Sequence, residues 1–157
     1  MIQGARYTHT NVIARDWRAL ASFYETVFGC EVVPPERNYS GATLEAGTGV
    51  VGASLSGVHL RLPGRGADGP TLEVFTYSHL AESLVPAINR PGLGHLAFEV
   101  DSVDDARREV LAAGGAAVAD VVTLTTAAGT RVTMCYVTDP EGNIIELQSW
   151  SPAEGDA

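Results

Sequence analysis

Two stretches decide the fold: HTNVIARDWRALASFYETVFG at residues 9–29 and HLAFEVDSVDDARREVLAAGG at residues 95–115. Adding 86 carries His9 to His95 and Gly29 to Gly115 without a gap. Each stretch reads as a strand followed by a helix, and each is followed later by a strand with a central carboxylate, TLEVFTY around Glu73 and IIELQSW around Glu146. Repeated supersecondary units bury one face against a neighbour, so the four side chains His9, Glu73, His95 and Glu146 occupy equivalent places and can converge on one centre. Two imidazoles and two carboxylates suit one divalent metal ion.

Working outward, residues 7–14 alternate with strand period, which puts His9, Asn11 and Ile13 on one face. Asp16 then caps a helix from Trp17 to Phe28 with Trp17, Leu20, Tyr24 and Val27 at helical spacing, and Gly29 stops it. Residues 30–37 read as a strand that Pro34 and Pro35 confine to an edge or a bulge. Residues 38–52, NYSGATLEAGTGVVG, read as a mobile loop. Two strands, ASLSGVHLRLP and TLEVFTY, complete the first half. Residues 78–92 contain two prolines and no sustained period, so they form a connector. The second half repeats the order: a strand over 93–100, a helix from Val103 to Ala113 with Val103, Ala106, Val110 and Leu111 on its apolar stripe, and strands near 117–126, 130–138 and 143–150. The tail SPAEGDA is small and acidic and is expected to fray.

The expected fold class is α+β, two paired βαβββ modules at residues 5–77 and 92–150 within a single domain of 157 residues. Such modules leave one sheet face covered by a helix and the other curved around a central metal-binding cleft. Strand parity sorts the faces. Leu72 and Val74 flank Glu73 as Ile145 and Leu147 flank Glu146, which sends the apolar neighbours to the helix and both carboxylates to the cleft.

Composition narrows the function. The formal charge of −9 disfavours nucleic acid and anionic membranes as partners, since both reward dense basic surface, and leaves a small molecule. All ten basic residues are arginine, so lysine Schiff-base chemistry has no nucleophile. No apolar run approaches the roughly 20 residues of a membrane span, and the N-terminus lacks the regions of a signal peptide; a cytoplasmic location is expected. Cys30 and Cys135 lie far apart in apolar segments and read first as buried free thiols, with a nucleophile or a disulfide as alternatives. The glycines of GTGVVG form no phosphate loop, because no GK[ST] follows.

Several side chains are candidates for the cleft wall. Phe75, Tyr77, Gln148 and Trp150 follow the parity of the glutamates, with core filling as the alternative. Arg61 shares a face with His59 and can pair with a substrate carboxylate or phosphate, although a solvated strand arginine is the commoner case. His59 and His79 have no repeat partner and are not expected to be ligands.

The pieces HTNVIARD with FYETVFG, LEVFTY, RPGLGHLAFEVDSVDDA and YVTDPEGNIIEL resemble, in that order, the vicinal oxygen chelate superfamily, the glyoxalase, bleomycin-resistance and extradiol-dioxygenase group. The last is the most specific, because Asp139, Pro140, Gly142 and Asn143 make a tight turn that delivers Glu146 to its strand. The resemblance spans about residues 5 to 150. It implies metal ligands His9, Glu73, His95 and Glu146, with Glu73 and Glu146 as the catalytic carboxylates, and one divalent ion among Ni, Co, Zn, Mn and Fe. The His, Glu, His, Glu set is that of glyoxalase I, whereas methylmalonyl-CoA epimerase typically has Gln in place of Glu73. The resemblance therefore implies a metal-dependent isomerase or lyase that moves a proton beside a carbonyl through an enediolate, and a homodimer. The alternatives are an antibiotic-binding resistance protein without catalysis and an extradiol-type dioxygenase.

Overall fold

A computed structural model describes residues 2–82 and 84–153. The fold is α+β with two open mixed sheets. It divides into two compact units, Met1–Glu82 and Ser83–Ala157.

The first unit runs β1 (His9–Ile13), α1 (Trp17–Phe28), β2 (Glu31–Ser40), α2 (Ala42–Thr48), β3 (Ser54–Arg61) and β4 (Thr71–Tyr77). Its sheet has the order β1-β4-β3-β2, with β1 parallel to β4 and the other pairs antiparallel. Local chemistry bounds α1: Asp16 Oδ1 accepts from the amides of Arg18 (3.0 Å) and Ala19 (3.1 Å), and Gly29 ends the helix in the left-handed region at φ 66°. The helix buries Trp17, Leu20, Ala21, Phe23 and Tyr24. Beneath them lies the register row Val12, Val74 and Val58, with Leu72 and Leu60 alongside, all buried. Two hydrogen bonds tie the helix start to the sheet, from the Trp17 amide to Thr76 Oγ1 and from Trp17 Nε1 to Ser56 Oγ, both 3.0 Å.

The loop expected over 38–52 is not one. Strand β2 continues to Ser40, and Ala42–Thr48 forms a helix. Ala42, Leu44, Glu45 and Ala46 are good helix formers, while Gly41 and Gly49 take positive φ at its ends; its lack of any buried residue is why no apolar period announces it. Pro34 and Pro35 lie where expected, on an edge strand at a register irregularity between Val33 and Arg37.

The second unit runs β5 (Leu96–Glu99), α3 (Val103–Ala112), β6 (Ala116–Ala117), β7 (Val122–Thr125), β8 (Arg131–Thr138) and β9 (Ile144–Ser151). Its order is β5-β9-β8, with β6 and β7 both pairing with β8 and β5 parallel to β9. This is the topology of the first unit again. The single strand expected over 117–126 is two short ones, and Leu111 is exposed while Val103 and Val110 carry the buried contact of α3. Ser102 caps α3 through its hydroxyl, which accepts from the Asp105 amide at 3.3 Å, and Asp104 and Asp105 complement the helix dipole. Behind α3, Cys135, Val137, Ile145 and Leu147 are buried. Gly115 is required by packing, since a Cβ there meets the Thr138 carbonyl oxygen at 2.3 Å. Residues 154–157 of the tail lie outside the described residues.

Candidate metal and catalytic site

In the first unit the face away from α1 carries the row Asn11, Glu73 and His59, fixed by the register of β1, β4 and β3. Glu73 is gripped from three sides. Its Oε2 lies 3.3 Å from His9 Nε2 and accepts from Asn11 Nδ2 at 3.3 Å, and its Oε1 lies 2.8 Å from His59 Nε2. His59 Nδ1 in turn contacts Thr71 Oγ1 at 3.3 Å. Burial lowers the His59 pKa, the Glu73 charge opposes that shift, and Arg37 and His9 add to it.

The second unit repeats this arrangement with different chemistry. The row is Ala97, Glu146 and Tyr136. His95 Nε2 lies 3.2 Å from Glu146 Oε2, and the Tyr136 phenol donates to the Glu146 carboxylate. Burial raises the Tyr136 pKa, and the hydrogen bond and charge of Glu146 push it the same way. The ring pairs correspond too: His9 and His59 have centroids 6.1 Å apart, His95 and Tyr136 5.3 Å. Tyr136 and His59 are functional candidates that sequence reading missed, and register parity with the glutamates is the signal that marks them.

The donor chemistry suits a metal ion. A nitrogen and an oxygen each about 2.1 Å from one ion and 90–110° apart stand about 3.0–3.4 Å from each other, which is the spacing of both His–Glu pairs. Among the described residues no three or more such side chains gather closely enough to hold an ion as they stand.

The other candidates are placed as follows. Phe75 and Tyr77 share the Glu73 face; Phe75 is buried and its ring lies across Gly57, where a Cβ would come 2.2 Å from Phe75 Cδ1. Gln148 shares the Glu146 face and accepts from Trp150 Nε1 at 3.2 Å, with Trp150 exposed. Arg61 also lies on the Glu73 face, but its Nη1 is engaged by Glu31 Oε2 at 2.7 Å. His79 stands outside the cluster, its Nδ1 3.1 Å from Ser78 Oγ. Cys30 and Cys135 are free and buried; burial and then Glu25 push the Cys30 thiol up to about 11, so neither a disulfide nor a ready nucleophile is present.

The turn between β8 and β9 is built by one buried carboxylate. Asp139 Oδ1 accepts from the amides of Glu141 and Asn143, both at 2.9 Å, and Oδ2 accepts from Asn143 Nδ2 at 2.8 Å. Gly142 follows at φ 92°, and β9 then begins with Ile144, which aims Glu146.

Solved structures of similar fold accompany this geometry. A glyoxalase family protein from Bacillus cereus is 18% identical, with a TM-score of 0.79 over 97% of this chain and 99% of its own. A glyoxylase/bleomycin resistance protein/dioxygenase domain from Frankia sp. EAN1pec is 19% identical, with a TM-score of 0.60 over 94% of this chain and 98% of that one. An integron cassette protein from the mobile metagenome of V. cholerae is 24% identical, with a TM-score of 0.55 over 96% and 99%. No curated protein matches the chain. No helix among the described residues is long and apolar enough to cross a membrane. The family model matches residues 6–147, and the chain belongs to the Glyoxalase/Bleomycin resistance protein/Dioxygenase superfamily.

Proposed function

We propose that this protein is a metal-dependent isomerase or lyase of glyoxalase or epimerase type, with His9, Glu73, His95 and Glu146 as ligands of one divalent ion drawn from Ni, Co, Zn, Mn and Fe. The observation that carries this reading is the pair of matched His–Glu contacts, 3.3 Å in one unit and 3.2 Å in the other. When bound, the ion supplies Lewis-acid polarisation of adjacent substrate oxygens and stabilises the charge that develops as an α-proton leaves.

The chain's own residues divide the remaining work. Asn11 and His59 hold Glu73 in place from two sides, which suits it to anchoring. Glu146 has fewer partners, His95 and the Tyr136 phenol, and in this reading it takes the α-proton. Glu73 is its counterpart in this reading and can return a proton when the reaction needs it. Association as a homodimer is part of the proposal, since β1 and β2 are edges of an open sheet; a monomer in sedimentation at micromolar concentration would remove that part alone.

The test has two readouts. His95→Ala should lower the metal content of purified protein sharply, and the metal-loaded wild type should exchange the α-proton of a hemithioacetal, 2-hydroxy-ketone or acyl-thioester with solvent deuterium. Unchanged metal stoichiometry and affinity in His95→Ala would overturn the ligand set. Metal-dependent oxygen uptake with a catechol, without proton exchange, would replace the reaction with ring cleavage.

A further inference from the structure

The face of the first sheet that carries Glu73 also carries a cation that no carboxylate neutralises. Arg37 on β2 is in register with Gly57 on β3, which is in register with Phe75 on β4. Partners across a ladder point to one face, so Arg37 shares the face of His59 and Glu73, one two-residue repeat along the strands. The two arginines of this face differ. Arg61 is paired with Glu31 at 2.7 Å, whereas Arg37 is half-buried and donates through Nη1 to the Pro35 carbonyl oxygen of its own strand, with no carboxylate partner among the described residues. A single carbonyl satisfies one of five guanidinium donors and none of the charge.

Gly57 presents no side chain opposite Arg37, and the Phe75 ring lies across it.

We infer that Arg37 is the anion anchor of this site, and that the substrate carries a carboxylate or phosphate group a few bonds from its reacting carbonyl. The planar guanidinium takes two oxygens of such a group side by side, and the rest of the substrate extends from Arg37 toward Glu73. The inference rests on the proposed proton-transfer reading for the location of the carbonyl, but the anchor itself can be tested without metal or turnover.

The experiment is an amide NMR titration of the metal-free, full-length protein with inorganic phosphate and, separately, with malonate. Saturable shifts at the Gly57 and His59 amides are expected with at least one anion, and which anion binds tells phosphate from carboxylate. Arg37→Met should weaken that binding at least about tenfold, as loss of a bidentate charged contact does, and Arg37→Lys, which keeps the charge without the fork, should fall between. Absence of saturable binding to the wild type, or equal affinity in Arg37→Met, overturns the anchor. Loss of binding in Arg61→Met with retention in Arg37→Met transfers the role to Arg61. If anion binding depends on Arg37 while α-proton exchange fails, the anchor stands and the proposed reaction falls.

Discussion

The two units share one topology and hold a glutamate at the same register position, yet they surround it differently. In the first unit Asn11, His9 and His59 all address Glu73; in the second, Ala97 stands where Asn11 does, Tyr136 where His59 does, and Glu146 keeps His95 and a phenol. The strands before the glutamates also end differently. Nine loop residues, 62–70, precede β4 and include Gly64 and Gly66 at positive φ, whereas the five residues 139–143 before β9 are locked by Asp139. Duplicate backbones thus deliver equivalent carboxylates with unequal sets of partners and unequal rigidity of delivery.

The largest effect should come from exchanging each carboxylate for its amide. Glu146→Gln should cut α-proton exchange by about 10²–10⁴-fold, the range for loss of a general base, while the amide oxygen can still coordinate. Glu73→Gln should cost less, because its main work is anchoring. Equal losses, or a larger loss in Glu73→Gln, would break the proposed division between the units.

Next is the turn. Asp139 is 1% exposed and is the only buried polar or charged residue among those described. Asp139→Ala removes the acceptor of three hydrogen bonds and leaves two backbone donors unsatisfied, a cost of about 2–4 kcal/mol. Asp68→Ala in the exposed loop of the first unit should stay within about 0.5 kcal/mol, as surface substitutions do. Urea denaturation of both variants measures the contrast, and comparable losses would show that the two turns are not different in kind.

A smaller contrast separates the residues facing the glutamates. His59→Ala should weaken metal binding by about 10–100-fold, as loss of a group orienting a ligand does. Tyr136→Phe removes one neutral hydrogen bond worth about 1 kcal/mol and should weaken it by roughly fivefold. Isothermal titration with Co(II) or Zn(II) ranks them, and a reversed ranking would make the phenol the more important holder.

What the sequence disclosed and what it hid follow from the range of the interactions. Asp16 and Gly29 bound α1 through contacts within a few residues, and Asp139 builds its turn from the next four positions, so both were legible. Glu73 and Glu146 were legible because Leu72, Val74, Ile145 and Leu147 fix their parity. His59 and Tyr136 were not recognised as a pair because loop lengths break the period: the repeat offset is 86 at the histidines, 77 between His59 and Tyr136, and 73 between the glutamates. The pairing of Arg61 with Glu31 is likewise a cross-strand fact, visible only once β2 and β3 are in register. The helix Ala42–Thr48 buries nothing, so hydrophobic period carried no trace of it.

The smallest expected effects concern the two buried cysteines, one in each unit. Cys30 is 4% exposed and its thiol pKa is raised to about 11, which leaves a thiolate fraction of about 10⁻³ at pH 8. Iodoacetamide at that pH should label neither Cys30 nor Cys135 until the protein is unfolded, and rapid native-state labelling of either would break the equivalence. The raised pKa also fixes a sign. Between the ordinary thiol value near 9.0 and about 11 the unfolded chain has lost the Cys30 proton while the folded chain retains it, so the folded state binds more protons and stability falls as pH rises. The contribution is fully present below about pH 8.5 and declines with a slope of at most about 1.4 kcal/mol per pH unit. Cys30→Ala removes this group, and its stability curve between pH 8.5 and 10.5 should be flatter than that of the wild type by up to that slope. Parallel curves would show that Cys30 ionises as readily folded as unfolded, and that the packing around it does not exclude water from its thiol.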